Sequence, residues 1–254
     1  LAVVATLILV FSFASPAFFT WRNFAATSGE AATLLMAALG ASFVILMGSI
    51  DLSVGAVVLL VATAAVALLK YFDADQFGWA VLPFGAVFGG LLGAFNGAIC
   101  VYGRVPSFVV TLGTLSVFTG AALQILVGAT IMFDLPFFEM ISIRQTIPHL
   151  PNIALCAIVL WLIFVFVGIW TRFGRFALLI GGGELVARTA GLPVDRYKIY
   201  AFTMSGVTAG IAGVFAMSRL GAVGPTLGTD LLLNTIAAIV VGGTSLAGGT
   251  GGVH

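Results

Sequence analysis

The residues able to do chemistry are few and widely separated. The 254-residue chain has two histidines, His149 and His254, in different connections, and two cysteines, Cys100 and Cys156, each inside an apolar stretch. No His-Glu-x-x-His, Cys-x-x-Cys or Gly-x-Ser-x-Gly spacing exists, so no residues are arranged for a metal, a redox pair or an activated nucleophile. Of the two lysines, Lys70 and Lys198, neither follows a Gly-x-x-x-x-Gly, which rules out a phosphate-cradling Walker A loop in this chain. The expectation is a protein without catalytic residues, metal or cofactor of its own. If ATP drives it, ATP-Mg is held by another subunit. The cysteines read as small core residues rather than a disulfide framework.

Composition shows what must position such residues. Apolar residues make up 61% of the chain and charged ones 7%, and mean hydropathy is +1.22. A soluble domain carries roughly 25% charged residues, so there is too little polar surface here to cover a water-soluble globule. Charge-free stretches run 1–21, 31–50, 52–69, 76–103, 105–133, 145–171, 199–218 and 231–254. A spanning helix needs about 20 mostly apolar residues to cross a hydrocarbon core of about 30 Å. The fold class expected is therefore all-α, a polytopic integral membrane helical bundle. About eight spans are expected, at 2–19, 29–48, 52–70, 79–102, 106–129, 152–171, 199–219 and 232–247. A β-barrel would show short alternating segments instead. Residues 1–19 have no basic region before them and no small-residue cleavage site after them, so they read as a first span rather than a signal peptide. The chain starts at Leu1 inside an apolar run and ends at His254 after a glycine-rich passage, and is expected to be a piece of a longer protein. A net charge of +1 gives no footing for nucleic acid.

With connections alternating sides, Arg104 and the five basic residues of 172–198 fall on one side. Arg22, Lys70, Arg144 and Arg219 fall on the other, together with Glu30, Asp73, Asp75, Asp134, Glu139 and Asp230. Cytoplasmic loops collect Lys and Arg, so 172–198 is assigned to the cytoplasm, and the N-terminus with it. Gly85, Gly89, Gly93 and Gly97 recur every fourth residue, as do Gly206 and Gly210, followed by Gly213. This spacing lets helix backbones approach closely in lipid; a glycine face that moves during transport is the alternative.

Ionisable residues inside a membrane are costly and often mark function, yet the expected spans hold almost none. Asp51, in the short turn Ile50-Asp51-Leu52, is the one candidate. Its plain role is the N-cap of the third helix. Neutral polar residues are more numerous: Asn96, Thr111, Thr114, Ser116, Gln124, Ser205, Thr208 and Asn234. Such groups suit a pathway for an uncharged hydroxylated solute, and equally suit hydrogen bonds between helices. Asp51, Asn96, Thr111, Thr114 and Asn234 are the candidate pathway residues.

Four passages, in register over nearly the whole chain, carry a family resemblance. They are Gly48 to Gly55 (GSIDLSVG), Asn96-Gly97 through Pro106 to Thr114 (PSFVVTLGT), Gly181 to Lys198 with Ser205-Gly206 and Ala209 to Gly213, and Ile236 to Gly249 (IAAIVVGGTSLAGG). Together they resemble the permease subunit of ribose/xylose-type ABC sugar importers. The resemblance implies a translocation subunit, a single transmembrane permease domain over 1–254, in the bacterial inner membrane. It implies about ten spans, the missing ones after His254. It implies as partners a second permease copy (the same chain or a close paralogue), a separate ABC ATPase subunit, and a periplasmic or lipid-anchored sugar-binding protein. Within 172–198 it implies a coupling helix that docks on the ATPase, with Glu184, Ala187, Arg188, Gly191 and Leu192 at the contact. A short helix over 184–190 would end at Gly191, where a left-handed residue fits, and Leu185 and Leu192 would be its apolar anchors. The chain departs from the family pattern at Gly182-Gly183-Glu184, often Asn-Pro, and at Thr119-Gly120, often Arg-Gly. A nucleoside, a branched-chain amino acid or a signalling sugar would suit the same architecture. An autonomous carrier or channel is the competing class.

Overall fold

The computed structural model describes residues 2–72 and 78–252. Asp73, Asp75 and His254 lie outside the described residues. The described helices are α1 (Ala2–Ala14), α2 (Trp21–Leu46), α3 (Val54–Tyr71), α4 (Val81–Tyr102, entered through a 3₁₀ turn at Gly78–Ala80), α5 (Ser107–Leu126), α6 (Pro136–Ser142), α7 (Asn152–Trp170), α8 (Arg172–Gly182), α9 (Glu184–Thr189), α10 (Val194–Leu220) and α11 (Leu231–Val241). A two-residue antiparallel ribbon pairs β1 (Ile131–Met132) with β2 (Ala222–Val223). The bundle is all-α apart from this ribbon.

Six helices among the described residues are long and apolar enough to cross a membrane: α2, α3, α4 with its leading turn, α5, α7 and α10. The expected spans 2–19 and 232–247 fall short of this. α1 stops at Ala14, just before Ser15-Pro16. Proline lacks an N–H and disfavours helical backbone in the residue before it. α11 stops at Val241, ahead of Gly243, whose φ of +95° lies outside the helical region. Its 11 residues measure about 17 Å, roughly half a hydrocarbon core. Conversely, α2 starts at Trp21, eight residues before the expected 29, because the Thr20 hydroxyl accepts from Asn23 N at 3.2 Å and caps a first turn too polar for an apolar window to register.

α10 is the central element and packs against α4, α2 and α3. Its closest partner is antiparallel α4. A β-carbon added at Gly89 would stand 2.8 Å from Gly210 Cα, and one at Gly206 would stand 2.8 Å from Gly93 N. The backbones therefore touch along the glycine rows that the spacing of four predicts. α2 crosses the other side of α10, with Gly29 near Arg219 and Gly40 near Ser205 and Thr208. α3 enters midway: a β-carbon at Gly213 would meet Val58 Cα at 3.3 Å. Gly213 lies about 28 Å along α10 from Val194 at about 1.5 Å per residue.

These directions gather Arg104 and residues 172–198 at one end of the bundle, here the basic end. Arg22, Lys70, Arg144 and Arg219 lie toward the opposite end. Exposed Trp21, Tyr71 and Trp79 belt the opposite end, and Tyr102, Trp170 and Tyr200 the basic end, as aromatic rings do at membrane interfaces. Between the belts, α5 and α7 expose Val109, Val117, Val159 and Leu162. Such faces are stable when lipid is the solvent.

Substituting Gly206→Ala is expected to cost about 1–3 kcal/mol through backbone overlap with α4. Gly120→Ala meets nothing within 4 Å and is expected to be neutral, or to gain up to about 1 kcal/mol from helix propensity. Melting temperature and inserted yield in mild detergent check the contrast; equal behaviour of the two variants would refute the tight glycine contact.

Candidate functional site

The chain between α2 and α3 is unwound inside the bundle rather than at its surface. Residues 47–53 carry no helix, and Ser49, Asp51 and Ser53 are buried. Backbone groups at such depth must find partners within the protein. Ile50 N–H donates to Ser107 Oγ at 3.0 Å, and Ile50 C=O accepts from Thr111 Oγ1 at 3.2 Å. Two polar residues in the first turns of α5 thus replace water.

Asp51 is the centre of this knot. Its Oδ1 accepts from Ser53 N at 3.0 Å and Ser53 Oγ at 2.6 Å, and its Oδ2 accepts from Ser205 Oγ of α10 at 2.8 Å. Asn96 Nδ2 of α4 donates to Ser53 Oγ at 2.8 Å, leaving Asn96 Oδ1 buried without a partner. The N-cap reading of Asp51 is corrected here. Ser53 occupies the N-cap of α3, two residues later, and Asp51 is drawn to Ser53 and α10 instead of to the first turn of α3. Of the five candidate pathway residues, Asp51, Asn96 and Thr111 therefore meet at one break, with Asn96 and Thr111 fully buried. Thr114 is one turn further along α5 and donates to its own helix at Thr111 O, 3.3 Å. Asn234 stands apart, exposed in the first turn of α11. Ser53, Ser107 and Ser205 complete the knot. Ser205 is visible in the sequence only as one polar residue in an apolar span, and nothing in the sequence pairs it with Asp51.

At the basic end, 172–198 is largely helical. The Thr171 hydroxyl accepts from Phe173 N at 3.1 Å and caps α8, which was expected to be polar connection. α9 covers Glu184–Thr189, close to the expected 184–190. Gly191, at φ +82°, ends it in a Schellman turn: Gly191 N donates to Arg188 O and Leu192 N to Ala187 O, both at 3.0 Å. Ala187 is buried in an apolar cluster with Phe43, Phe164, Ala177, Val194 and Phe202, and Leu192 packs against it. Leu185 instead points outward at 76% exposure. Val186, which sequence reasoning passed over, joins it at 72%.

The polar side of α9 is tied to α10. Arg188 donates from Nε and Nη2 to Glu184 Oε1 at 3.1 and 2.9 Å, and from Nη2 to Asp195 Oδ1 at 2.5 Å. Lys198 Nζ donates to Glu184 Oε2 at 2.5 Å. Burial pushes the Glu184 carboxyl up, but the hydrogen bonds from Lys198 and Arg188 outweigh it and hold it below the usual carboxylate range. These ion pairs, with Arg104, Ser49 and Ser107, line a cavity of about 670 Å³.

A second large cavity, about 700 Å³, lies toward the opposite end between α2, the end of α10 and the start of α11. Glu30, Arg219, Asp230 and Asn234 are in its wall. Its inner end reaches Gly228, which touches Gly55: a β-carbon at Gly55 would lie 3.4 Å from Gly228 C and 3.7 Å from Leu232 N. The first turns of α3 and α11 therefore meet inside the bundle.

Residues 23–252 match the family model described as branched-chain amino acid transport system / permease component. The chain is 32% identical to the ribose import permease protein RbsC of Haemophilus influenzae, over 97% of this chain and 76% of that protein. It is 31% identical to the D-allose transport system permease protein AlsC of Escherichia coli K12, over 98% and 76%. It is 36% identical to the autoinducer 2 import system permease protein LsrC of an Enterobacter species, over 93% and 68%. No solved structure matches the chain. With the family model covering residues 23–252 and a relative 32% identical over 97% of this chain and 76% of its own length, the chain belongs to this family of membrane-spanning transport permeases.

Proposed function

We propose that the chain is the translocation subunit of an ATP-driven importer that carries a monosaccharide such as ribose or xylose across the bacterial inner membrane. The reading is supported above all by similarity, over nearly all of this chain and about three quarters of theirs, to permeases named for ribose and D-allose. ATP-Mg is bound and hydrolysed by a separate ABC ATPase subunit, a periplasmic or lipid-anchored binding protein delivers the sugar, and a second permease copy completes the pathway. The chain itself supplies no ATPase site. The basic end faces the cytoplasm, and 172–198 forms the coupling surface there.

α9 is the contact with the ATPase. Its outward Leu185 and Val186 enter the partner, while buried Ala187, Leu192 and the Schellman turn at Gly191 fix its angle. Arg188 and Glu184 transmit its movement to α10 through Asp195 and Lys198. Exposed ion pairs are worth only about 0.2–1 kcal/mol each, so this network orients α9 more than it stabilises the fold. A second reading, import of a signalling sugar by the same machinery, is favoured by the similarity to an autoinducer 2 permease.

Purification of the tagged full-length protein from native membranes is expected to bring down a stoichiometric ATPase; a permease that reproducibly purifies alone would defeat the importer reading. Arg188→Glu, which sets a carboxylate against Glu184 and Asp195, is expected to cut sugar uptake at least tenfold while ATP hydrolysis continues unlinked to it. Normal coupling would remove α9 from the transmission path.

The same network gives a pH dependence. Glu184 has a folded pKa below its unfolded value of about 4.3. Its contribution is therefore fully present above the unfolded value, about 4.3, and lost as pH falls through the folded value. Amide exchange in α9, corrected for its intrinsic rate, is expected to accelerate below about pH 4. Glu184→Gln should show a smaller response, the remainder coming from Asp195. An identical response in both proteins would show that the Glu184 pairs do not hold α9.

A further inference from the structure

The cavity at the opposite end holds hydrogen-bonding capacity that the protein itself does not use. Glu30 and Asp230 form no ion pair among the described residues, although Arg219 lines the same cavity. Asp230 occupies the N-cap of α11 yet makes no side-chain capping bond, so its carboxylate is not consumed by the helix it precedes. Asn234 follows one turn later and is exposed to the cavity. Arg219 Nε is buried and has no hydrogen-bond partner. The aliphatic stem of Arg219 lies beside α2: a β-carbon on Gly29 would stand 3.6 Å from its Cδ, at ordinary van der Waals distance.

The donors and acceptors differ in kind. Two carboxylates accept, a guanidinium donates, and an amide does both. Thr27 and Thr226 add hydroxyls to the same wall. A hydroxyl group is both donor and acceptor, so a solute carrying several of them can engage all these groups at once. The three charges sum to −1, which repels an anion and leaves a neutral solute unpenalised. The volume of about 700 Å³ is that of a small-molecule site, and its wall includes Gly228, which lies against Gly55, and Leu231 at the start of α11.

We propose that Glu30, Arg219, Asp230 and Asn234 form a reading site for a neutral polyhydroxylated solute, the first site in the permease to take the sugar on its inward path. The assignment rests on the sugar-import reading above and deepens it. Here the permease senses individual hydroxyls and does not only admit what the binding protein releases. Two groups joined by one hydrogen bond lose the same interaction whichever is removed, so removing one hydroxyl from the solute and removing its partner from the wall should have overlapping effects.

The test uses the full complex of permease, ATPase and binding protein in proteoliposomes, with radiolabelled D-ribose and its 2-deoxy, 3-deoxy and 5-deoxy forms; L-leucine serves as the amino-acid control. Asp230→Asn and Asn234→Ala lie at exposed positions where folding is not at stake, and the amount inserted is measured for each. Each variant is expected to raise KM for D-ribose about tenfold. Each should also lose at least part of the wild-type discrimination against one deoxy sugar. The binding protein's own selectivity is common to all the proteins and cancels in that comparison. Unchanged kinetics would overturn the assignment. So would an equal loss for every sugar with discrimination intact, or weakened docking of the binding protein, which would make this wall a protein-contact surface. If the wild-type complex takes up L-leucine and none of the sugars, the sugar-import reading itself falls; if it imports sugar and the variants behave as wild type, only the reading site does.

Discussion

At Gly89, Gly93, Gly206 and Gly210, α4 and α10 touch backbone to backbone, with no side chain between them. Lipid tails are as apolar as leucine, so helices in a membrane gain little from hiding hydrocarbon from one another; close packing and polar contacts must hold them instead. Almost everything else here is referred to α10 once it is seated. Asp195 and Lys198 near its start receive α9, Ser205 receives Asp51, Gly213 receives α3, and Arg219 at its far end lines the opposite cavity. One helix of 27 residues thus touches the basic end, the buried knot and the opposite cavity.

The breaks in helical structure follow a second constraint. Non-helical backbone inside a membrane protein persists only where the protein itself satisfies it or where it lines a cavity. The α2–α3 break satisfies both conditions. Ser107 and Thr111 saturate Ile50, and serine hydroxyls and a backbone amide surround Asp51. Ser49 lines the cavity at the basic end, while Gly55 touches Gly228 in the wall of the other. The short stretch between Ser49 and Gly55 thus links the walls of the two large cavities, and it is held by hydrogen bonds to α4, α5 and α10. A segment tied to three helices at once responds to the displacement of any of them.

The basic end is held differently. Its charges are partly solvated, so each pair is individually weak, but they share partners. Arg188 bridges two acids, and Glu184 accepts from both Arg188 and Lys198. Such sharing fixes orientation better than it adds stability, which suits a short helix with a buried foot at Ala187 and an exposed tip at Leu185 and Val186.

The sequence by itself determined the all-α membrane class, because charge-free runs of spanning length have no other stable form in lipid. It determined the glycine contact, because a spacing of four places glycines on one helical face. It determined the two charge sets at the two ends and the short α9 closed by Gly191, because a left-handed C′ position selects glycine. It did not determine how many of the expected spans were long enough, since hydropathy does not register that Ser15-Pro16 ends α1 or that α11 stops after 11 residues ahead of Gly243. Nor did it reveal that Asp51 would leave the N-cap to Ser53 and bind Ser205, 154 positions away, or that Asn234 would share a cavity wall with Glu30 and Arg219. Those arrangements join residues remote in the chain. No periodicity or local propensity encodes them; they exist only because α10, packed against α2, α3 and α4, brings distant polar groups to one depth in a medium that offers them no water.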